Sequence, residues 1–532
     1  MTGHNGDQAA PPKRIVIVGG GTAGWMAATL MAHAWGEAAK GDRATTITLL
    51  ESKTIGIIGV GEGSTPKMRR FFDRIGMTEA DWMPHCNATY KCGIRFPDWC
   101  TRRGYESYYH PFFSLKDEET IRAFFHNLSL RNRNIEAPAH PDAYFVSHFL
   151  ADGRRAPTPS AASGDYETDY AYHFDAQLIG QVLKDKAMAL GVRHVEDTVG
   201  AVHRGEDGGI EALETEAHGR LEGDFFVDCT GFASVLLQRS LGVPFRSYAD
   251  LLFNDRAVAV PTPPEADGSL PSETVSTALS AGWVWKIPLQ NRFGNGYVYS
   301  SHYLDEGEAE AELRAHLGLG PDEGGEARHL KMRVGRVDAP WAENCLGVGL
   351  SQGFVEPLEA TALMIVQDTV ENFIDAFEKG GFTPAHRDAF NARVNGIFDG
   401  VRDYIVMHYK LNSRSDSRYW IDNRENQQTP ETVASILGVW KKGGDLLAEL
   451  QRLSGSLVYS PTSWFCILAG MGQLPRKPRK PKRNMQVIDR EKVAAHCRRL
   501  AGTFPDHRAA LEAMRPEAAA EAAPLGAAVP AE

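Results

Sequence analysis

The chain has 532 residues, 43% hydrophobic and 23% charged, with a formal net charge of -11 at pH 7. That length leaves room for two or three domains or one large elaborated domain, and the acidic balance disfavours a general nucleic-acid binder. No apolar run reaches the roughly 18 residues of a membrane span, the N-terminal residues 1–12 lack the apolar core of a secretory signal, and the seven cysteines form no C-x-x-C pair that would suggest zinc or a dithiol, so a cytoplasmic protein with reduced thiols, no metal and no membrane contact is expected.

Residues 1–13 read as an unstructured leader. Arg14 to Val18 is a continuous apolar run, the pattern of a strand buried on both faces of a parallel sheet. A glycine turn follows, then a helix through Trp25 to Met31 and a second strand from Ile47 to Glu51, which together make a βαβ unit opening a doubly wound α/β domain. Ala176 to Leu190 reads as an amphipathic helix, and Asp224 to Gly231 as a strand returning to the nucleotide domain. Gly335 to Gly353 reads as a last strand with a glycine turn, and Glu356 to Ile374 as a helix. Segments near 75–170 and 240–330 supply a second, substrate-facing layer. From Pro384 to Met471 the text turns helical and aromatic, most clearly at Asp399 to Tyr409 and Val433 to Leu453. Pro475 to Arg483 is a basic, proline-rich tether, residues 484–513 carry a short helix, and the Ala/Pro/Glu-rich residues 516–532 are a low-complexity tail. The expected organisation is an α/β core over 14–383 with discontinuous inserted segments, a helical region over 384–474, and a linker and tail over 475–532.

Gly19, Gly21 and Gly24 fill G-x-G-x-x-G between the first strand and the first helix, with Thr22 and Ala23 inside the turn. The first glycine permits the tight turn, the second lets backbone approach a pyrophosphate, and the third lets helix and strand pack closely. The phosphate would rest on the helix N-terminus. Glu51, ending the second strand, is placed to accept hydrogen bonds from ribose hydroxyls. The fingerprint does not separate FAD from NAD. Asp228-Cys229-Thr230-Gly231 resembles the D-x-[ST]-G segment of FAD-dependent monooxygenase-like folds, and no second full fingerprint is present. Electrons for a flavin would then come from outside, or from a pyridine nucleotide bound without a Rossmann domain of its own.

The segment Trp283-Val284-Trp285-Lys286-Ile287-Pro288-Leu289 reads W-x-W-x-I-P. In an extended chain its two indoles lie on one side, and the proline ends further pairing. Two adjacent indoles make a large rigid wall that suits packing against, or screening of, something planar.

Taken with the fingerprint, this motif resembles the flavin-dependent halogenases of the tryptophan-halogenase family. Five further segments agree in order: Gly59 to Pro66, resembling the family's strap over the flavin; Tyr90 to Phe96, resembling Y-K-x-G-I-x-F; Tyr109-His110-Pro111-Phe112; Phe354 to Thr361, resembling F-[VL]-E-P-L-E-S-T; and Ser463 to Gly470. The resemblance implies an FAD-binding Rossmann-like, monooxygenase-like domain interleaved with a substrate-binding layer. It implies that FADH2, oxygen and halide give hypohalous acid, which reaches a separate pocket and halogenates an electron-rich aromatic ring. It places Lys91 and Glu359 as the catalytic pair, and the flavin against Gly19, Gly21, Thr22, Ala23, Gly24, Glu51, Lys53, Gly61, Gly63, Val199, Leu350 and Leu363. Chloride or bromide falls on the amides at Thr361 and Ala362, and His110, Phe112 and Trp464 line the aromatic pocket. The family motif is Trp283, Trp285, Ile287 and Pro288, placed between cofactor and pocket. The implied partners are a small aromatic substrate and a separate flavin reductase, and a homodimer is compatible with the sequence.

The residue chemistry is compatible with those roles. A lysine amine can hydrogen-bond hypohalous acid or capture its halogen, and burial makes the neutral amine more accessible. A nearby carboxylate can polarise the oxidant and take the proton from the ring. Glu356, by contrast, reads as a helix-start carboxylate complementing the helix dipole. Two departures stand out. The family's S-T-G after the glutamate is Ala360-Thr361-Ala362 here, and the tyrosine pair and F-W pair of free-tryptophan halogenases are absent from Asp445 to Tyr459. Indole or an indole derivative is therefore the expected substrate class. Two other readings stay open on the residues alone: a single-component flavin-dependent aromatic hydroxylase, and a non-catalytic flavin-binding partner protein.

Overall fold

The computed structural model describes residues 11–36, 44–53, 61–113, 117–159, 168–321, 323–475, 477 and 479–515. Most of the leader, the low-complexity tail and Gly59-Val60 of the strap lie outside the described residues. Arg14–Val18 lies within a six-stranded sheet in the order Trp341–Ala342, Cys345–Gly347, Phe225–Asp228, Arg14–Val18, Thr46–Glu51, Arg193–Glu196. Every neighbouring pair is parallel except the first. Strand alternation divides the apolar run between two cores. Ile15 and Ile17 pack with the helices Thr22–Trp35 and Ala362–Lys379, while Val16 and Val18 pack beneath the small antiparallel sheet built on Val199–Arg204 and Ile210–Thr215. Both faces are covered, as a parallel sheet requires.

A seven-stranded sheet forms the second layer, ordered Arg328–Lys331, Arg256–Ala259, Phe293–Tyr299, Gly282–Pro288, Thr274–Ala278, Gly93–Pro97, Ser107–Pro111. Trp283, Trp285 and Ile287 face a core shared with the helices Arg387–Leu411, Arg418–Glu425 and Pro461–Gly470, whereas Val284 faces a smaller core with Val258 and Leu313. Trp285 pairs in register with Gly296. A methyl at Gly296 would stand 2.1 Å from the indole, so glycine is what lets the ring lie across the neighbouring strand. A three-stranded sheet, Glu62–Gly63, Ala171–Phe174 and Thr89–Lys91, forms a further element, with Thr89–Lys91 at its edge.

Local expectations needed revision where turns interrupt periodic text. The Glu356 to Ile374 helix is a 3-10 turn, Pro357–Glu359, followed by the helix Ala362–Lys379. Ala360 adopts the left-handed conformation between them (φ 55°) and breaks the continuity. Val433 to Leu453 is two helices, Glu431–Lys441 and Leu446–Arg452, separated around Gly443 at φ 67°. Gly335 to Gly353 is not one strand but short pieces in two sheets. Residues 484–513 carry two helices, Arg490–Ala501 and His507–Glu512. Six of the seven cysteines are buried, and all seven are free thiols.

Candidate active site

Lys91 ends the edge strand Thr89–Lys91, and its side chain is fully buried. Nζ donates to the Ser64 carbonyl at 3.1 Å and lies 5.5 Å from the centroid of the Phe112 ring. A methyl placed on Gly63 would fall 3.4 Å from this amine, 3.4 Å from the Ala360 methyl and 3.7 Å from His173. The end of the strap, the Lys91 strand and the turn behind Glu359 therefore converge on Gly63. Burial pushes the Lys91 ammonium down to about 7, against the opposing pull of the Glu359 charge.

Glu359 is also buried. His110 Nδ1 donates to its Oε2 at 3.0 Å, and His408 Nε2 lies 3.3 Å from its Oε1. Burial alone would raise this carboxyl, but the two imidazoles outweigh it and hold the group down at about 2. His408 lies 2.8 Å from the Tyr108 hydroxyl through Nε2, and its Nδ1 donates to the Tyr404 carbonyl at 3.1 Å. The Tyr404 ring stacks on Tyr459 (3.7 Å, 14°), meets Trp464 edge-on (4.9 Å, 86°) and lies 5.7 Å from His110. This aromatic wall joins His110 and Trp464. Phe112 stands on the Lys91 side. The Tyr459 hydroxyl and Trp464 Nε1 are buried without a hydrogen-bond partner among the described residues.

His173 lies beside the lysine with both ring nitrogens engaged. The Thr89 hydroxyl spends its proton on the Pro288 carbonyl at 2.7 Å, so His173 Nδ1 donates to Thr89 at 3.0 Å. The Thr274 hydroxyl then donates to Nε2 at 2.8 Å. Burial, with the nearby Lys91 charge, holds this imidazole neutral, well below its ordinary range.

The tryptophan motif reaches both halves of the site. At one end, Pro288 accepts from Thr89 on the Lys91 strand. At the other, the Trp283 indole N–H donates to Glu356 Oε2 at 2.9 Å, on the turn that carries Glu359. Asn254 Nδ2 (2.8 Å) and the Tyr409 hydroxyl (2.7 Å) donate to the same oxygen. Glu356 is thus a fully buried carboxylate in a polar cluster rather than a helix-start charge, and burial raises its pKa against those three donors. Trp285 packs at 6.3 Å from Trp283. The two indoles are buried among substrate-layer residues, and Trp283 is tied directly to the Glu359 turn.

The nucleotide fingerprint has the shape a dinucleotide needs. A methyl on Gly19 would stand 2.2 Å from the Cys229 carbonyl, and one on Gly24 would stand 1.9 Å from the Gly19 carbonyl. Among the described residues, none beyond its own chain neighbours and helix backbone lies within 4 Å of a methyl on Gly21, which caps the helix Thr22–Trp35, so the helix N-terminus has open space beside it. Gly349 stacks against Ala23 and brings Leu350 to this turn. Glu51 contacts His194 (2.7 Å) and Lys184 (3.4 Å). Lys53 is exposed and paired with Glu196 at 2.7 Å, and Val199 begins the strand just beyond. Gly61 adopts φ 114°. Leu363 packs into the core beneath the sheet, Thr361 is buried, and Ala362 opens the helix Ala362–Lys379 with an exposed side chain. Asp228 is engaged within the protein: its carboxylate accepts from Thr230, Leu236 and Leu237, each at 2.8 to 3.0 Å through the backbone.

Sequence reasoning missed His408, Tyr108, Tyr404, Tyr459 and His173. One signal was present for the first: Tyr404 and His408 are four residues apart in the aromatic helix Arg387–Leu411 and therefore share a face. Nothing local marks His173.

Comparison with known proteins places the chain in a family. The profile of the tryptophan halogenase family matches residues 14–486. The chain is 38% identical to the tryptophan 6-halogenase SttH of Streptomyces toxytricini, covering 88% of this chain and 91% of that one. It is also 38% identical to the 7-chloro-L-tryptophan 6-halogenase KtzR of Kutzneria sp. (strain 744), covering 94% and 99%. BrvH, a flavin-dependent halogenase from Brevundimonas sp. BAL3, superposes with a TM-score of 0.79 at 32% identity, covering 95% of this chain and 99% of that one. Family profile, fold and 38% identity over nearly the whole length converge: the chain belongs to the tryptophan halogenase family.

Proposed function

We propose that this protein is a flavin-dependent halogenase acting on indole or an indole derivative, with Lys91 and Glu359 as its catalytic pair. The observation that carries the reading is the pairing of environments: a buried lysine brought down to about 7 and a buried glutamate held at about 2 on neighbouring elements. Both are shifted downward, which frees the lysine amine near neutral pH while the glutamate stays ionised, and perturbed groups of this kind cluster at functional sites. FAD would rest on the Gly19–Gly24 turn and the Thr22–Trp35 helix start, and when reduced it supplies, with oxygen and halide, the hypohalous acid.

The chain's residues do the rest. Amides at Thr361 and Ala362, at the start of an 18-residue helix, offer an anion the positive end of the helix dipole. Lys91, near half neutral at pH 7, hydrogen-bonds the oxidant or captures its halogen. Glu359, ionised and oriented by His110 and His408, takes the proton released from the ring. The stacked rings of Tyr404 and Tyr459, with Trp464, form a flat aromatic wall beside that carboxylate. The Tyr459 hydroxyl and Trp464 N–H, without a partner among the described residues, leave a cost of about 1–3 kcal/mol each that an acceptor on the substrate would recover.

The test is a halide-by-substrate panel run with FAD, an added flavin reductase, and bromide or chloride, read by product mass spectrometry. Ring-halogenated indole is expected. Hydroxylated product without halogen would replace this reading with a hydroxylase, and no product across the panel would favour a non-catalytic flavoprotein.

A further inference from the structure

Lys91 is flanked by Tyr90 and Cys92, whose side chains alternation sends to the opposite face of the chain. Both also contact residues C-terminal to the span that the family profile matches, which ends at 486. Cys92 packs in one apolar cluster with Ala494, Cys497, Ala501 and Phe504, together with Val146 and Leu150 of the helix Val146–Asp152. Tyr90 is held at both ends. Its hydroxyl donates to Glu79 Oε2 at 2.5 Å with Met514 Sδ at 3.8 Å, and its backbone N–H donates to His507 Nε2 at 3.0 Å. That N–H belongs to an edge strand and faces away from the sheet, where an unpaired donor would otherwise be stranded in the interior. His507 is fully buried, and its Nδ1 donates to the Leu270 carbonyl at 3.1 Å, so Nε2 is fixed as the acceptor. Burial keeps the imidazole uncharged, lowering it to about 4.

We propose that residues 487–515 form a clamp that sets the position of Lys91, with His507 as a positioning residue acting through the Tyr90 amide. The proposal rests on the catalytic reading of Lys91. The clamp makes no contact with the oxidant. Its effect is to fix where the strand ends, and with it the amine, and displacing a reacting group by about 1 Å can cost on the order of a hundredfold in rate.

The test compares full-length H507F, which removes the acceptor, with H507Q, whose carboxamide can accept from Tyr90 and donate to Leu270. Three readouts are taken: kcat against KM for the aromatic, the fraction of hypohalous acid intercepted by a dye rather than transferred to substrate, and hydrogen exchange at the Tyr90 amide. H507F is expected to lose about ten- to hundredfold in kcat with KM and flavin affinity little changed, to raise the intercepted fraction, and to speed Tyr90 exchange. H507Q is expected to restore all three. If H507F does not accumulate as folded protein, H507N, too short to reach the amide, takes its place. Wild-type kcat and transfer in the acceptor-free variant would overturn the clamp. So would equal losses in both variants with equally lowered melting temperatures, since the segment would then only support the fold. A wild-type enzyme that halogenates nothing would sink the functional reading instead, and unchanged Tyr90 exchange in the acceptor-free variant would by itself sink the clamp.

Discussion

A buried ammonium that titrates near 7 is a stability liability. Lys91 ordinarily titrates at 10.5 and is brought to about 7 here, so between those values the unfolded chain binds the proton that the folded chain has released. Stability attributable to this group therefore rises with pH across that window, and the cost is complete below about 7. Each pH unit of displacement is worth about 1.4 kcal/mol, so K91M, which keeps the stem and loses the charge, is expected to gain on the order of 4 kcal/mol at neutral pH. The gain should shrink as the pH approaches 10 while halogenation is lost throughout. Urea denaturation of both proteins at several pH values measures it; a K91M variant no more stable than wild type at pH 7 would refute the account. In the active enzyme, turnover should climb as the pH passes about 7 and the amine loses its proton.

At the scale of the element, the strand Gly282–Pro288 is a tie between the Lys91 strand and the Glu359 turn. Its two tryptophans bury similar rings, yet Trp283 donates to Glu356 while Trp285 Nε1 has no partner among the described residues. W283F is therefore expected to cost about 1–3 kcal/mol more than W285F, the penalty for leaving a buried acceptor without its donor. Equal losses in denaturant titrations would show that the two rings serve only as packing. The tie also explains what the sequence could and could not disclose. The fingerprint turn and the paired tryptophans were legible because each signal is contiguous. The roles of Glu356 and His507 were not, because their partners lie far along the chain: Trp283 is 73 positions from Glu356, and Tyr90 is 417 from His507. A buried carboxylate and an exposed helix-start carboxylate look alike in one dimension. Lys91 and Glu359 emerged from the motif text, but their unlike environments depend on His110, His408 and the strap, which only the fold assembles.

For the molecule as a whole, the parallel sheet presents the fingerprint on one side, and the second layer with its helices holds the aromatic wall on the other. The segment Asp445 to Tyr459 forms a short helix, Leu446–Arg452, with Leu447 exposed at 46%, and only Tyr459 turns into the wall. Few groups remain there to grip an amino acid's ammonium and carboxylate, so indole is expected to be halogenated with a higher kcat/KM than free tryptophan. Steady-state kinetics on the two substrates decide the point, and a preference for tryptophan would overturn it.

His173 carries one last consequence. A histidine this close to a buried lysine would ordinarily compete for protons, yet Thr89 and Thr274 occupy its two nitrogens in a fixed direction. With its proton and its lone pair both engaged, the ring is an insulator beside the amine, and under the proposed function proton traffic there is left to Lys91 itself and to Glu359.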